Sequence, residues 1–203
     1  MPGRILVFVL LAVALFAAPA PAQNREPGEE LFLAGRMLVA APRLADPRFH
    51  KSVIVLIRHD PDGAFGLIVN RAVGSGSLKN FLKGLGREGG ERGGDLAIHY
   101  GGPVQADLGF VLHSADFAGA GSQAVPGGLA WSPAPDVLEA ASRGEGPRRL
   151  LFALGYSGWG PGQLDGEIAR GDWLIAPADE TLIFETTGDA AWDRARAGAA
   201  VRL

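Results

Sequence analysis

A chain of 203 residues with 47% hydrophobic side chains is long enough for one domain with a proper core. It contains no Cys, which excludes disulfides, thiolate catalysis and a lipid anchor on an N-terminal Cys. A net charge of −3 supplies no broad electrostatic reason to bind nucleic acid or an anionic membrane surface.

The chain opens on the pattern of a secretion signal. Met1–Arg4 is short and carries one positive side chain, Ile5–Phe16 is unbroken apolar sequence, and Ala17–Gln23 is small and turn-prone. Ala20-Pro21-Ala22 supplies a small-x-small cleavage site, so residues 1–22 are expected to leave and the mature chain to start at Gln23. The apolar run is too short for a span, which takes roughly 20 residues. The expectation is a periplasmic or secreted protein with no stable membrane insertion after cleavage. A misassigned start codon would instead leave it in the cytosol.

Residues 23–30 read as a polar leader and residues 31–203 as the globular part. Arg36–Ala41 reads as a first strand stopped by Pro42. Ser52–His59 is nearly all apolar and β-branched, which marks a buried strand. Asp60-Pro61-Asp62-Gly63 is a turn, because Pro presets φ and Gly accepts φ > 0. Ala64–Asn70 then pairs back as a hairpin.

Ser77 can cap a short helix to Leu85. Gly84–Gly94 is a glycine-rich loop. Leu96–Tyr100 and Leu108–His113 read as strands flanking Gly101-Gly102-Pro103, and residues from about Ala115 to Gly128 as a loop. Ser132-Pro133-Ala134-Pro135 opens a helix over Asp136–Ser142, ended by Gly144. Leu150–Tyr156 is another buried strand, followed by a glycine-rich turn and a helix from about Gln163. Trp173–Ile175 and Thr181–Glu185 read as short strands, and Ala190–Ala197 as a terminal helix. Hairpins with inserted helices, lacking regular β-α-β alternation, predict an α+β single domain with a mixed, mostly antiparallel sheet and a few short helices.

Several patterns could carry chemistry. Gly84-Leu85-Gly86-Arg87-Glu88-Gly89 matches G-x-G-x-x-G, but a helix precedes it where nucleotide binding needs a strand. The four histidines, His50, His59, His99 and His113, show no tight metal-ligand spacing, so no metal or cofactor is expected. Gly155-Tyr156-Ser157-Gly158-Trp159 sits where a nucleophile elbow would. The elbow needs Gly two positions after Ser, and Trp159 stands there. The same strand, turn and helix could expose backbone N–H groups to an anion, with Tyr156, Trp159 and Gln163 adding binding surface. Equally, the glycines could simply let the turn pack closely on the sheet.

Five blocks in order resemble one family. They are Leu38–Pro42 with Asp46-Pro47, Phe49 and Ser52; His59–Ala64 through Gly66-Leu67 to Asn70-Arg71; Tyr100–Val104; Gly109–His113; and Gly155–Leu164 with Glu167 and Trp173. Together they are similar to the YqgE/AlgH family (DUF179, UPF0301) over about Leu33–Trp192. The resemblance implies a single α+β domain. It implies no established enzyme and no agreed catalytic residues. The family is named for a proposed role in regulating alginate genes, and its members often carry a provisional transcriptional-regulator label. Two departures stand out: the export signal, where members usually start near the first strand and are cytosolic, and Ser157, where members typically carry Ala.

Two functional expectations follow. The first is a non-enzymatic binding or regulatory module for a protein or small-molecule ligand not named by the sequence. Its surface would draw on Asn70, Arg71, Gly101, Gly102, Pro103, His113, Tyr156, Trp159 and Gln163, which lie at strand ends and turns. The second is a hydrolase-type enzyme using His113 with Asp46, Asp60 or Glu167. It requires His113 within hydrogen-bond reach of a carboxylate in a pocket. Direct nucleic-acid binding is not expected.

Overall fold

In chain order the elements are β1 (Arg36–Ala40), β2 (Val53–Asp60), β3 (Gly63–Ile68), β4 (Ala72–Ser77), α1 (Leu78–Gly84), β5 (Asp95–Tyr100), β6 (Val104–Ser114), β7 (Gln123–Val125), β8 (Leu129–Pro133), α2 (Asp136–Arg143), β9 (Leu150–Trp159), α3 (Gln163–Ala169), β10 (Trp173–Pro177), α4 (Glu180–Glu185) and α5 (Gly188–Gly198). The computed structural model describes residues 32–92 and 94–199. The expected signal and leader lie outside the described residues.

Among the described residues, ten strands form one sheet in the order β10-β1-β2-β3-β9-β6-β8-β7, with β5 added to β9 and β4 to β5. β9 is the organising strand. Its one edge is shared, with Ser157–Trp159 pairing antiparallel to β3 and Phe152–Leu154 pairing parallel to β5. Its other edge carries β6. Every other ladder is antiparallel. The result is the α+β single domain expected from the sequence, its sheet curled around β9.

Alternate side chains of one strand face opposite sides of a sheet, and each side carries a core. Leu112 of β6 and Leu151 and Ala153 of β9 join Val55, Leu67 and Met37 on one face, covered by Leu182 and Ile183 of α4 and Trp192 of α5. Val111 and Phe152 point the other way and meet Leu78 and Leu82 of α1 and Leu138 of α2.

The β2–β3 hairpin turns at Pro61-Asp62, with Asp60 paired to Gly63. Gly63 has φ +129°, and a Cβ there would sit 2.2 Å from the Trp159 carbonyl oxygen. Ser77 caps α1 by accepting from the Asn80 N–H, and Gly144 ends α2 in the left-handed region at φ 79°. The Gly84–Gly94 loop follows a helix, as expected, and is pinned to α2: Gly90 N donates to Ser142 Oγ, and Arg87 pairs with Asp136 and Glu139.

The structure adds to or corrects the sequence reading in five places. Thr181–Glu185 is helical, because Asp179 Oδ1 caps the turn at Leu182 N (3.0 Å) and one helical turn buries Leu182 and Ile183 together. Burial here overrides the β propensity of the segment. Ala72–Ser77 is a strand that has no apolar alternation and exists through pairing with β5. The loop expected from Ala115 to Gly128 contains β7. The stretch Leu129–Pro133, for which no strand is expected from the sequence, is β8, and the two form a hairpin turned at Gly127 and Gly128, both at positive φ. β9 runs on to Trp159, three residues beyond the strand expected over Leu150–Tyr156.

Candidate functional site

Three of the sequence blocks meet in one cleft. The Gly101-Gly102-Pro103 turn lies against the end of β9: Gly101 N donates to Leu154 O, and Ser157 Oγ donates to Gly101 O at 3.2 Å. Gly102, at φ 151°, runs so close to Tyr156 that a Cβ would sit 2.2 Å from its carbonyl carbon. This contact places Pro103 beside Trp159 and Gln163, and the three line a cleft of about 400 Å3 with Asp46, Arg48 and Glu167.

Glu167 organises the cleft. Its Oε2 accepts from the indole N–H groups of Trp159 and Trp173, each at 2.8 Å, and its Oε1 from Gln163 Nε2 at 2.9 Å. Glu167 sits one helical turn after Gln163 on α3, so one short helix presents both. Phe49 stacks on Trp159 and meets Trp173 edge-on. The rim carries two close ion pairs, Arg48–Asp46 at 2.7 Å and Arg170–Asp172 at 3.0 Å. The Arg48 guanidinium, hydrogen-bonded to Asp46, holds that carboxyl below its ordinary range. At the start of α3, where backbone N–H groups could face an anion, the Gly160 N–H instead donates to Gln163 Oε1 at 3.2 Å.

Asn70 and Arg71 do not line this cleft. Asn70 is buried and structural: its Oδ1 accepts from Val53 N, and its Nδ2 donates to the carbonyls of Lys51 and Gly188. Arg71 donates to the carbonyls of Arg48 and His50, which fixes the loop bearing Arg48 and Phe49.

Tyr156 opens onto an adjoining cleft of about 660 Å3 that shares Val104, Gly158 and Trp159 with the first. Four contiguous strands each give it one half-buried ring: Phe65 from β3, Tyr156 from β9, Phe110 from β6 and Trp131 from β8. Phe65 lies 4.9 Å from Tyr156, 5.7 Å from Phe110 and 5.6 Å from Trp131, centroid to centroid. These rings pack against the core face that α4 and α5 cover elsewhere. Gly158 faces Tyr156 across the floor, where a Cβ would come within 3.0 Å of the ring.

His113 lies apart from both clefts and is fully buried. Its Nδ1 is 2.9 Å from Ser114 O and its Nε2 3.0 Å from Ser132 Oγ, which in turn meets Ser122 Oγ at 2.8 Å. Both ring nitrogens are therefore occupied by neighbours other than Asp46, Asp60 or Glu167. Burial pushes the imidazole pKa down. His59 contacts Asp165 at 3.5 Å, while His99 is buried with Nδ1 lacking a hydrogen bond. Among the described residues, no cluster of three His, Asp or Glu side chains is arranged to hold a metal ion.

The sequence places Tyr156, Trp159 and Gln163 on a shared surface but does not single out Phe65, Phe110 and Trp131. A signal for them exists. Phe65, Trp131 and Tyr156 are each flanked on both sides by Ala, Gly or Ser, and Phe110 by Gly109 on one side. Small neighbours leave a ring on a sheet face uncrowded.

Residues 37–203 match the family model described as DUF179, AlgH-like. A UPF0301 protein of Methylococcus capsulatus is 50% identical over 161 residues, covering 79% of this chain and 88% of that protein. A UPF0301 protein of Cereibacter sphaeroides is 44% identical over the same shares of the two chains. The solution structure of the AlgH protein from Pseudomonas aeruginosa is 36% identical and superposes with a TM-score of 0.69, covering 87% of this chain and 92% of that one. A crystal structure from Corynebacterium diphtheriae shares the fold at a TM-score of 0.62 and 23% identity. Blocks that meet at one cleft, a sheet curled around one strand and matches over most of the chain agree: this protein belongs to the AlgH-like DUF179 family.

Proposed function

We propose that the protein is a non-enzymatic binding or regulatory module whose ligand surface is the pair of clefts on either side of Trp159. One observation supports this reading above the others. Pro103, distant in sequence from Trp159 and Gln163, lines the same cleft as both, and Tyr156 lines the next. The Trp159 indole N–H and the Gln163 amide are held by Glu167 in a fixed arrangement, which suits recognition with little ordering cost. The site needs no metal or cofactor for that role. Direct contact with DNA forms no part of the reading, given a net charge of −3. The compartment we propose is outside the cytoplasm, supported by the apolar run Ile5–Phe16 and the Ala20-Pro21-Ala22 site.

Two experiments test this. Fractionation with N-terminal sequencing should find a product starting at Gln23 in the envelope or medium; an intact Met1 product in the cytosol overturns export. Fragment screening by 1H–15N NMR should give perturbations clustered on Pro103-flanking amides and the Trp159 and Gln163 side chains. Perturbations confined to the α1–α2 face would sink the assignment of the surface.

A further inference from the structure

The four-ring cleft joins apolar surface to one positive charge. We propose that it binds small arylalkyl carboxylates, the aryl group lying on Phe65, Phe110, Trp131 and Tyr156 and the carboxylate meeting Arg58. The proposal deepens the binding-module reading and rests on it.

Size comes first. At about 660 Å3 the cleft falls within the roughly 300–1,000 Å3 of small-molecule sites. Its floor is unmet apolar surface: all four rings are half-buried, on the sheet face that the helices cover elsewhere. Ring pairs meet at tilted and edge-on angles, 56° for Phe65 with Tyr156 and 61° for Phe65 with Phe110. Such a floor offers both faces and edges to an incoming ring.

Charge decides the class. Aromatic floors alone attract cations, and cation-binding cages gain from a nearby carboxylate. Here the described residues lining the cleft include no Asp or Glu, and Arg58 is their one formal charge. Arg58 follows a register shift between Leu56 and Arg58 in the β2–β3 ladder, and its side chain is 55% exposed. Its Nη1 contacts Asp60 at 3.2 Å. Exposed pairs of this kind hold weakly, and the rest of the guanidinium is available for a second, better-aligned carboxylate. Gln105, put forward by an irregular stretch of β6 at φ 48°, and Gln123 of β7 add amide groups at the rim.

The test compares three probes with one aryl body on the full chain: 3-phenylpropionate, 3-phenylpropanol and 3-phenylpropylammonium. Affinity is measured by NMR titration, following the Trp131 indole N–H. Propionate should bind about 10-fold tighter than the alcohol, the usual scale of a hydrogen bond to a charged group, and the ammonium weakest. Arg58→Gln, at an exposed position, should erase the advantage of propionate and leave alcohol affinity within about 2-fold. Trp131→Leu should weaken propionate and alcohol alike. Ammonium binding best, or a propionate advantage that survives Arg58→Gln, overturns the proposal. Probes that shift the Trp173 indole and not that of Trp131 refute this cleft while leaving the module reading standing. No shift of any indole up to millimolar probe refutes the arylalkyl carboxylate outright.

Discussion

Trp159 and Trp173 give their indole N–H groups to the same atom, Glu167 Oε2, each over 2.8 Å. The two rings stand edge to face, 6.0 Å apart, at the end of β9 and the start of β10. One carboxylate on the connecting helix thus ties the central strand to the far edge of the sheet. Both indoles are buried, so the carboxylate is their replacement for water.

Removing that acceptor should therefore cost more than neutralising it. Glu167→Ala leaves two buried donors unsatisfied and should lower unfolding stability by about 2–4 kcal/mol, while Glu167→Gln keeps one acceptor oxygen and should cost about 1 kcal/mol. Urea denaturation of both variants checks this. Equal losses would show that the shared acceptor is not what holds the two strands' ends together.

A second tie crosses the chain at Asn70. Its side chain bonds Val53, Lys51 and Gly188, and its carbonyl accepts from Gly188 N at 2.7 Å. Asn70→Ala should destabilise by about 2–4 kcal/mol, through the lost bonds and the buried backbone groups left behind. It should leave ligand affinity unchanged once the protein is folded. Thermal melting and a titration on the same variant separate the two effects. Lost affinity at full stability would return Asn70 to the binding surface.

How much of this was legible in the sequence depends on what each residue obeys. The β2–β3 hairpin, the cap at Ser77 and the stop at Gly144 follow local rules, and each could be read from a few neighbours. α4 could not, because Leu182 and Ile183 answer to a core built by strands far away in sequence. β4 carries no apolar pattern, so only its partner β5 reveals it. The cleft divides the same way. Trp159 and Gln163 lie in one contiguous block, whereas Phe65, Phe110 and Trp131 come together only once the strand order β3-β9-β6-β8 is known.

Stability should also fall on mild acidification. His99 and His113 are buried, and burial lowers both pKa values from the ordinary 6.5. The unfolded chain then takes up protons near pH 6.5 that the folded chain excludes. Stability is complete above that pH and drains as pH falls below it, by at most about 1.4 kcal/mol per pH unit for each histidine. Carboxyls enter at lower pH: Asp116 is held down by the Ser114 hydroxyl and Asp179 by the Leu182 N–H. Urea unfolding from pH 7.5 to 5.0 should show the slope, and the double variant His99→Leu/His113→Gln should flatten it. A slope that survives in the double variant assigns it elsewhere.

The sharpest steric test lies at the turn that positions Pro103. Gly102 combines φ 151° with a Cβ position 2.2 Å from the Tyr156 carbonyl carbon, and the obstacle is backbone that cannot step aside. Gly102→Ala should cost more than about 3 kcal/mol, the upper range for overpacking with strain added, and little folded protein should be recovered. Gly76 gives the control. It lies in β4, where an added Cβ would meet no atom within 4 Å and φ is not positive. Gly76→Ala should be neutral or stabilising by about 0.4–1 kcal/mol, because it restricts the unfolded chain alone. Urea midpoints of the pair decide the matter: if Gly102→Ala folds with the midpoint of the parent, the Gly102–Tyr156 contact does not set the cleft, and the placement of Pro103 against Trp159 has another cause.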